Sequence, residues 1–142
     1  TLLNQGELLT RLLDEIGETV ALLQGSATLA HQAEALDDAL CAGRAALRVL
    51  LDNAKNDAHL AGSISVNFMM LFGYLCGGWL MARSALRAQA LLDSGNGDPQ
   101  FLDAKRITAD FYAEQLLPRV HALLAAISSG SKSIMALDDE QF

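Results

Sequence analysis

Between Ala58 and Ala82 the chain contains no aspartate, glutamate, lysine or arginine. A helix that is apolar all round belongs in a core, at a subunit interface or in a membrane. The segment has no proline, and Leu and Ala dominate the apolar residues of the chain, while aromatics make up only 6%. Those are helix formers, so an all-β fold is excluded. With 51% hydrophobic and 19% charged residues, disorder is excluded as well. The 142 residues fit one domain. A net charge of −7 repels phosphates and argues against a nucleic-acid partner. Ile64 to Ala82 would span about 28 Å as a helix, close to a bilayer core. However, Ser63, Ser65 and Asn67 load its first turns with polar groups. Every other helix also carries a Leu/Ala stripe in need of a partner. A core or subunit interface is therefore expected, and membrane insertion is disfavoured.

The spacing predicts an all-α fold, an antiparallel up-down four-helix bundle with a central apolar third helix and a short C-terminal tail. The predicted helices run over about 5–24, 29–54, 58–93 and 99–129. Asn4 and Glu7 have capping-box spacing at the first start. Leu9, Leu13, Ile16, Val20 and Leu23 then fall on one stripe, and Gly25 ends the helix. Leu29, Ala33, Leu36, Leu40, Gly43, Leu47 and Leu50 continue the pattern, with small residues where a neighbour can approach. The link at Asn53–Asp57 reads either as a loop or as a bend between continuous helices. Gly73 and Gly77 are four apart, which also permits close backbone approach. Ser94-Gly95-Asn96-Gly97 stops the third helix, and Asp98-Pro99 is a strong start for the fourth. Its inner stripe is Ala109, Ala113, Leu116, Val120, Leu123 and Ile127. Pro118 should kink it. Ile134-Met135-Ala136-Leu137 is expected to pack back on the bundle.

Reactive constellations are sparse. Bundle metal sites use Glu-x-x-His on two helices, and no Glu here has His three places later. His31 and Glu34 share a helix face, but one such pair is weak grounds for a metal. His31, His59 and His121 fall on three predicted helices and read as surface or helix-end residues. Asp110 with Glu114, and Asp14 with Glu18, read as like-charge pairs on wet faces. Lys105 and Arg106 beside Asp103 and Asp110 read as a surface ion-pair network. No serine has a Gly-x-Ser-x-Gly context. Cys41 and Cys76 form no Cys-x-x-Cys and read as inert packing, which suits a reducing cytoplasmic compartment. No catalytic, cofactor-binding or metal residue is therefore assigned.

The residues Asn67-Phe68-Met69-Met70-Leu71-Phe72-Gly73 and Gly77-Gly78-Trp79-Leu80-Met81-Ala82-Arg83 resemble the extra C-terminal helical domain of a bacterial branch of acyl-CoA dehydrogenases. Phe101, Ala104-Lys105, Thr108-Ala109-Asp110-Phe111-Tyr112-Ala113-Glu114 and Leu116-Leu117-Pro118 follow in that domain's order. Ile134-Met135-Ala136-Leu137 and Phe142 match its ending. The resemblance covers about residues 60–142, and the first two helices by pattern and position. It implies a parent FAD flavoprotein that oxidises an acyl-CoA to the 2,3-enoyl-CoA. An electron-transferring flavoprotein then reoxidises the flavin. The base and the FAD contacts lie upstream in that family, and its Tyr-Glu-Gly-Thr segment is absent here. No residue of this chain inherits either role.

The resemblance thus implies a non-catalytic module, itself without cofactor, that packs on the upstream catalytic domains or on a second subunit of a homo-oligomer. Phe68, Phe72, Gly73, Gly77 and Trp79 are the candidate packing residues. The first residue, Thr1, is not an initiator Met, which fits a fragment from the C-terminus of a longer chain. An independent four-helix scaffold or membrane-associated interaction module is the alternative, and a di-metal bundle enzyme a third reading.

Overall fold

The computed structural model describes residues 6–141, apart from the side chain of Asp139. The expected cap Asn4 and the terminal Phe142 lie outside them. The helices are α1 (Glu7–Gln24), α2 (Ala30–Asn53), α3 (Leu60–Asp93), α4 (Pro99–Gln115) and α5 (Arg119–Ser128). A single 3-10 turn, Ala27–Leu29, leads into α2, and another, Asp139–Gln141, lies in the tail. Among the described residues there is no strand. Successive helices form the up-down bundle, with α4 and α5 together filling its fourth position.

Local chemistry sets the helix ends. Asp98 accepts a hydrogen bond from the Gln100 backbone N–H at 3.0 Å, and Pro99 occupies the first helical position. Gly95 and Gly97 take φ of 69° and 87°, which the reversal between α3 and α4 requires. The α2–α3 link is a loop, with the Asp57 carboxylate accepting from the His59 N–H.

Pro118 does more than kink the fourth helix. It separates α4 from α5, because a proline has no N–H to give and its ring obstructs the preceding turn. The Leu116 and Leu117 amides both donate to the Tyr112 carbonyl, so the chain widens there before α5 begins. Leu117, one helical turn beyond the buried Ala113, is 2% exposed. The C-terminal segment also departs from expectation. Its backbone folds back, but Ile134, Met135 and Leu137 remain more than half exposed.

α2 and α3 form the central pair. α1 packs on one side of them and the α4–α5 arm on the other. The inner stripe of α2 is buried along its length, from Ala33 through Leu50. Ile16, Leu23, Leu29, Leu71, Leu75, Val120 and Ile127 are completely buried. Each large apolar side chain of this kind contributes about 1.5–3 kcal/mol when fully removed from water.

Three glycines set how closely the helices approach. A Cβ at Gly43 would lie 2.7 Å from Leu75 on α3 and 3.1 Å from Leu13 on α1. One at Gly78 would lie 2.8 Å from Leu117, and one at Gly77 would collide with the Tyr112 hydroxyl. Gly73, in contrast, faces open space. Gly43→Ala should therefore cost roughly 1–2 kcal/mol net, overpacking outweighing the gain in helix propensity. Gly73→Ala in this segment should gain about 0.5–1 kcal/mol. Thermal melts followed by circular dichroism should move in opposite directions for the two variants.

Candidate functional site

The five residues singled out from the third helix divide between the interior and the surface. Phe72 is 8% exposed and stacks on Phe68, with ring centroids 4.8 Å apart. Gly77 receives Tyr112, whose hydroxyl donates to the Tyr74 carbonyl at 3.1 Å. The Trp79 indole N–H donates to Thr19 Oγ1 at 2.8 Å, which ties α3 to α1, and Arg83 lies 5.2 Å over the ring. Phe72, Gly77 and Trp79 are thus engaged within this chain. Gly73 alone of the five is wholly open, and Phe68 is partly buried.

The fold assembles a cleft that sequence spacing did not reveal. His31, Glu34, Ala35 and Asp38 of α2 face Ala113 and Glu114 of α4, Leu117 and Pro118 of the break, and His121 of α5. They line a cavity of about 450 Å³. His31 Nε2 lies 3.5 Å from Glu114 Oε1, with both side chains about half exposed. His31 and His121 thus line one cleft from different helices, while His59 lines another beside Ile134 and Met135. The signal available in sequence was His31 with Glu34 on one face. Glu114 and His121 reach the cleft through the packing of α4 and α5 on α2.

The chemical scope of this cleft is limited. Among the described residues, no group of three or more His, Cys, Asp or Glu is arranged to hold a metal ion. The three carboxylates on its walls would repel a flavin cofactor's diphosphate, so the cleft does not fit FAD. Asp110, expected on a wet face, instead accepts a hydrogen bond from the buried Gln32 amide and joins α4 to α2. Of the expected ion-pair network, Arg106–Asp103 is present at 3.4 Å, and Lys105 lies over the Phe101 ring.

Ser131, Asp57 and His59 also come together, without forming a nucleophilic triad. Ser131 Oγ donates directly to the Asp57 carboxylate, and His59 offers its backbone N–H rather than its ring. A triad needs the imidazole between the two. The arrangement instead clamps the segment after α5 to the α2–α3 loop. The Ser131 bond holds the Asp57 carboxyl below its ordinary value. Burial pushes the Cys76 thiol and the Tyr112 phenol up, which keeps both protonated and unreactive near neutral pH.

The acetyl-CoA dehydrogenase C-terminal-like family model matches residues 12–138. A 3-methylmercaptopropionyl-CoA dehydrogenase of Ruegeria pomeroyi is 40% identical over 114 residues, which cover 80% of this chain and 19% of that protein. A broad-specificity linear acyl-CoA dehydrogenase of Mycobacterium tuberculosis is 37% identical over 103 residues, 69% of this chain and 17% of that protein. The chain thus spans less than a fifth of the length of these relatives. It belongs to the acetyl-CoA dehydrogenase C-terminal-like family.

The clamp gives a pH-dependent prediction. A carboxylate with a depressed folded pKa stabilises above its unfolded value and loses that contribution as the pH falls through the folded one. Ser131→Ala should therefore lower the melting temperature at neutral pH. The gap from the parent chain should close as the pH drops below 3.8, the ordinary aspartate value. Melting curves recorded over an acid series check this. A gap that persists unchanged at the acid end would assign the effect to packing instead.

Proposed function

We propose, with that family membership as the premise, that this chain is the non-catalytic C-terminal helical module of an acyl-CoA dehydrogenase. The whole enzyme would convert an acyl-CoA thioester to the 2,3-enoyl-CoA. FAD, held by residues of the upstream domains, would supply the hydride acceptor, and a carboxylate there would take the α-proton. The two relatives, named for acyl-CoA dehydrogenation, support the substrate class. An electron-transferring flavoprotein as oxidant, a homo-oligomeric state and a cytoplasmic location belong to the same reading.

The observation that carries the non-catalytic role is the engagement of this segment's polar groups with one another. Trp79 is bonded to Thr19, Tyr112 to the Tyr74 carbonyl, Gln32 to Asp110 and Ser131 to Asp57. These are the bonds of a scaffold. A general base for α-proton removal needs a carboxylate within reach of a bound thioester. Glu114 instead pairs with His31 at the rim of an acidic cleft, where a CoA diphosphate would be repelled.

The full-length polypeptide provides the test. Its flavin absorbance should bleach when a saturated acyl-CoA is added anaerobically. Glu114→Gln and His31→Ala should leave the rate of that bleaching within about twofold, against the 10²–10⁴-fold loss expected on removing a general base. A polypeptide without flavin, or a Glu114→Gln variant arrested in flavin reduction, would refute the assignment.

A further inference from the structure

α3 has two apolar faces, and only one is covered. Leu71, Leu75, Ala82 and Ala85 point into the bundle with exposures of 0–3%. On another face Val66 and Met69 are each 65% exposed and Leu80 is 55% exposed. Positions 62, 66, 69, 73 and 80 follow steps of four, three, four and seven, which align them along one side of a helix. A Cβ at Gly62 or Gly73 would meet nothing within 4 Å, so the stripe carries two shallow recesses. Met70, 42% exposed, borders it. At the N-terminal end of α3, Ile134 and Met135 of the tail join Ala58, His59, Gly62 and Ser63 around a cavity of about 380 Å³. The stripe and the tail therefore make one surface.

We propose that this surface docks the segment onto the remainder of its own polypeptide, the upstream catalytic body. This rests on the reading of the preceding subsection. Three observations favour that occupant. First, the matched regions of the relatives make up less than a fifth of their length, so most of such a polypeptide lies outside this bundle. Second, contacts between domains of one chain bury about 600–1,500 Å², and six large side chains, each more than two-fifths exposed, supply a patch of that order. Third, the stretch from Ala58 to Ala82 has no charged side chain to desolvate, which suits a permanent contact. Flexible methionines beside glycine recesses can adapt to an irregular neighbour.

Other occupants fit less well. α3 is long and apolar enough to cross a bilayer. However, a chain of net charge −7 is repelled by an anionic leaflet. The same charge opposes a second copy of the segment.

Methionine oxidation by hydrogen peroxide in the full-length polypeptide tests the proposal, read by mass spectrometry against the guanidinium-unfolded protein. The exposures of Met69, Met70 and Met135 in this bundle, 65%, 42% and 51%, would by themselves slow oxidation by less than about threefold. Docking should slow it by about tenfold or more, equally at all protein concentrations and without lipid. Oxidation at the rate set by the bundle's own exposures overturns the proposal. Protection lost on dilution overturns it in favour of a second copy. Protection seen only with phosphatidylcholine–phosphatidylglycerol vesicles overturns it in favour of a membrane. Flavin bleaching by acyl-CoA, measured on the same sample, separates the two ideas. Its absence removes the enzyme assignment, while the oxidation pattern still reports whether this face is covered within the chain.

Discussion

Close approach at three glycines is the constraint from which the rest of the bundle follows. Gly43 admits Leu75 from α3 and Leu13 from α1, so a single missing side chain sets the distance among three helices. Gly77 and Gly78 do the same on the other side of α3, where Tyr112 and Leu117 press against its backbone. Side chains in such contacts make many weak attractions that fall off within an ångström. Adding a methyl group at these positions forces neighbours apart and forfeits those attractions elsewhere. The hydrogen bonds from Trp79 to Thr19 and from Tyr112 to the Tyr74 carbonyl depend on that spacing, since each connects two helices.

Pro118 acts through the same geometry. It lies next to Leu117, which follows the buried Ala113 by one helical turn. Leu117 packs against Gly78 and is 2% exposed. Glu114 and His121, seven positions apart and so on one side of the arm, lie across the cleft from His31. Proline and glycine thus meet at one point: the first removes a backbone donor and breaks the helix beside Leu117, and the second leaves room for that side chain.

The uncharged segment from Ala58 to Ala82 has an ambiguity that periodicity alone does not resolve. Low charge shows that some partner excludes water from the helix, but not whether that partner is within the bundle. In the structure the answer differs by face. Leu71 and Leu75 are covered by this chain, and Val66, Met69 and Leu80 are not. Phe72 and Trp79, large and apolar, were natural candidates for outside contact, yet the first lies in the core and the second bonds to α1. Gly73 and Gly77 are indistinguishable by residue type. One faces solvent and the other meets Tyr112, one turn further along α3 and rotated by about 40° over the four-residue step.

Helix existence, the inward stripes of α1 and α2 and the Asp98–Pro99 start were legible in the residues, because each depends on neighbours within a few positions. Tertiary structure alone decided which glycines are filled, that Pro118 separates two helices, and that His31, Glu114 and His121 share a cleft. It also brought Ser131 to Asp57, 74 positions away. The reason is one of range. Helical propensity and capping are settled within one or two turns, whereas contacts between helices depend on relative rotation and depth. Those are set jointly by every side chain in the core, and no single stretch of sequence records them.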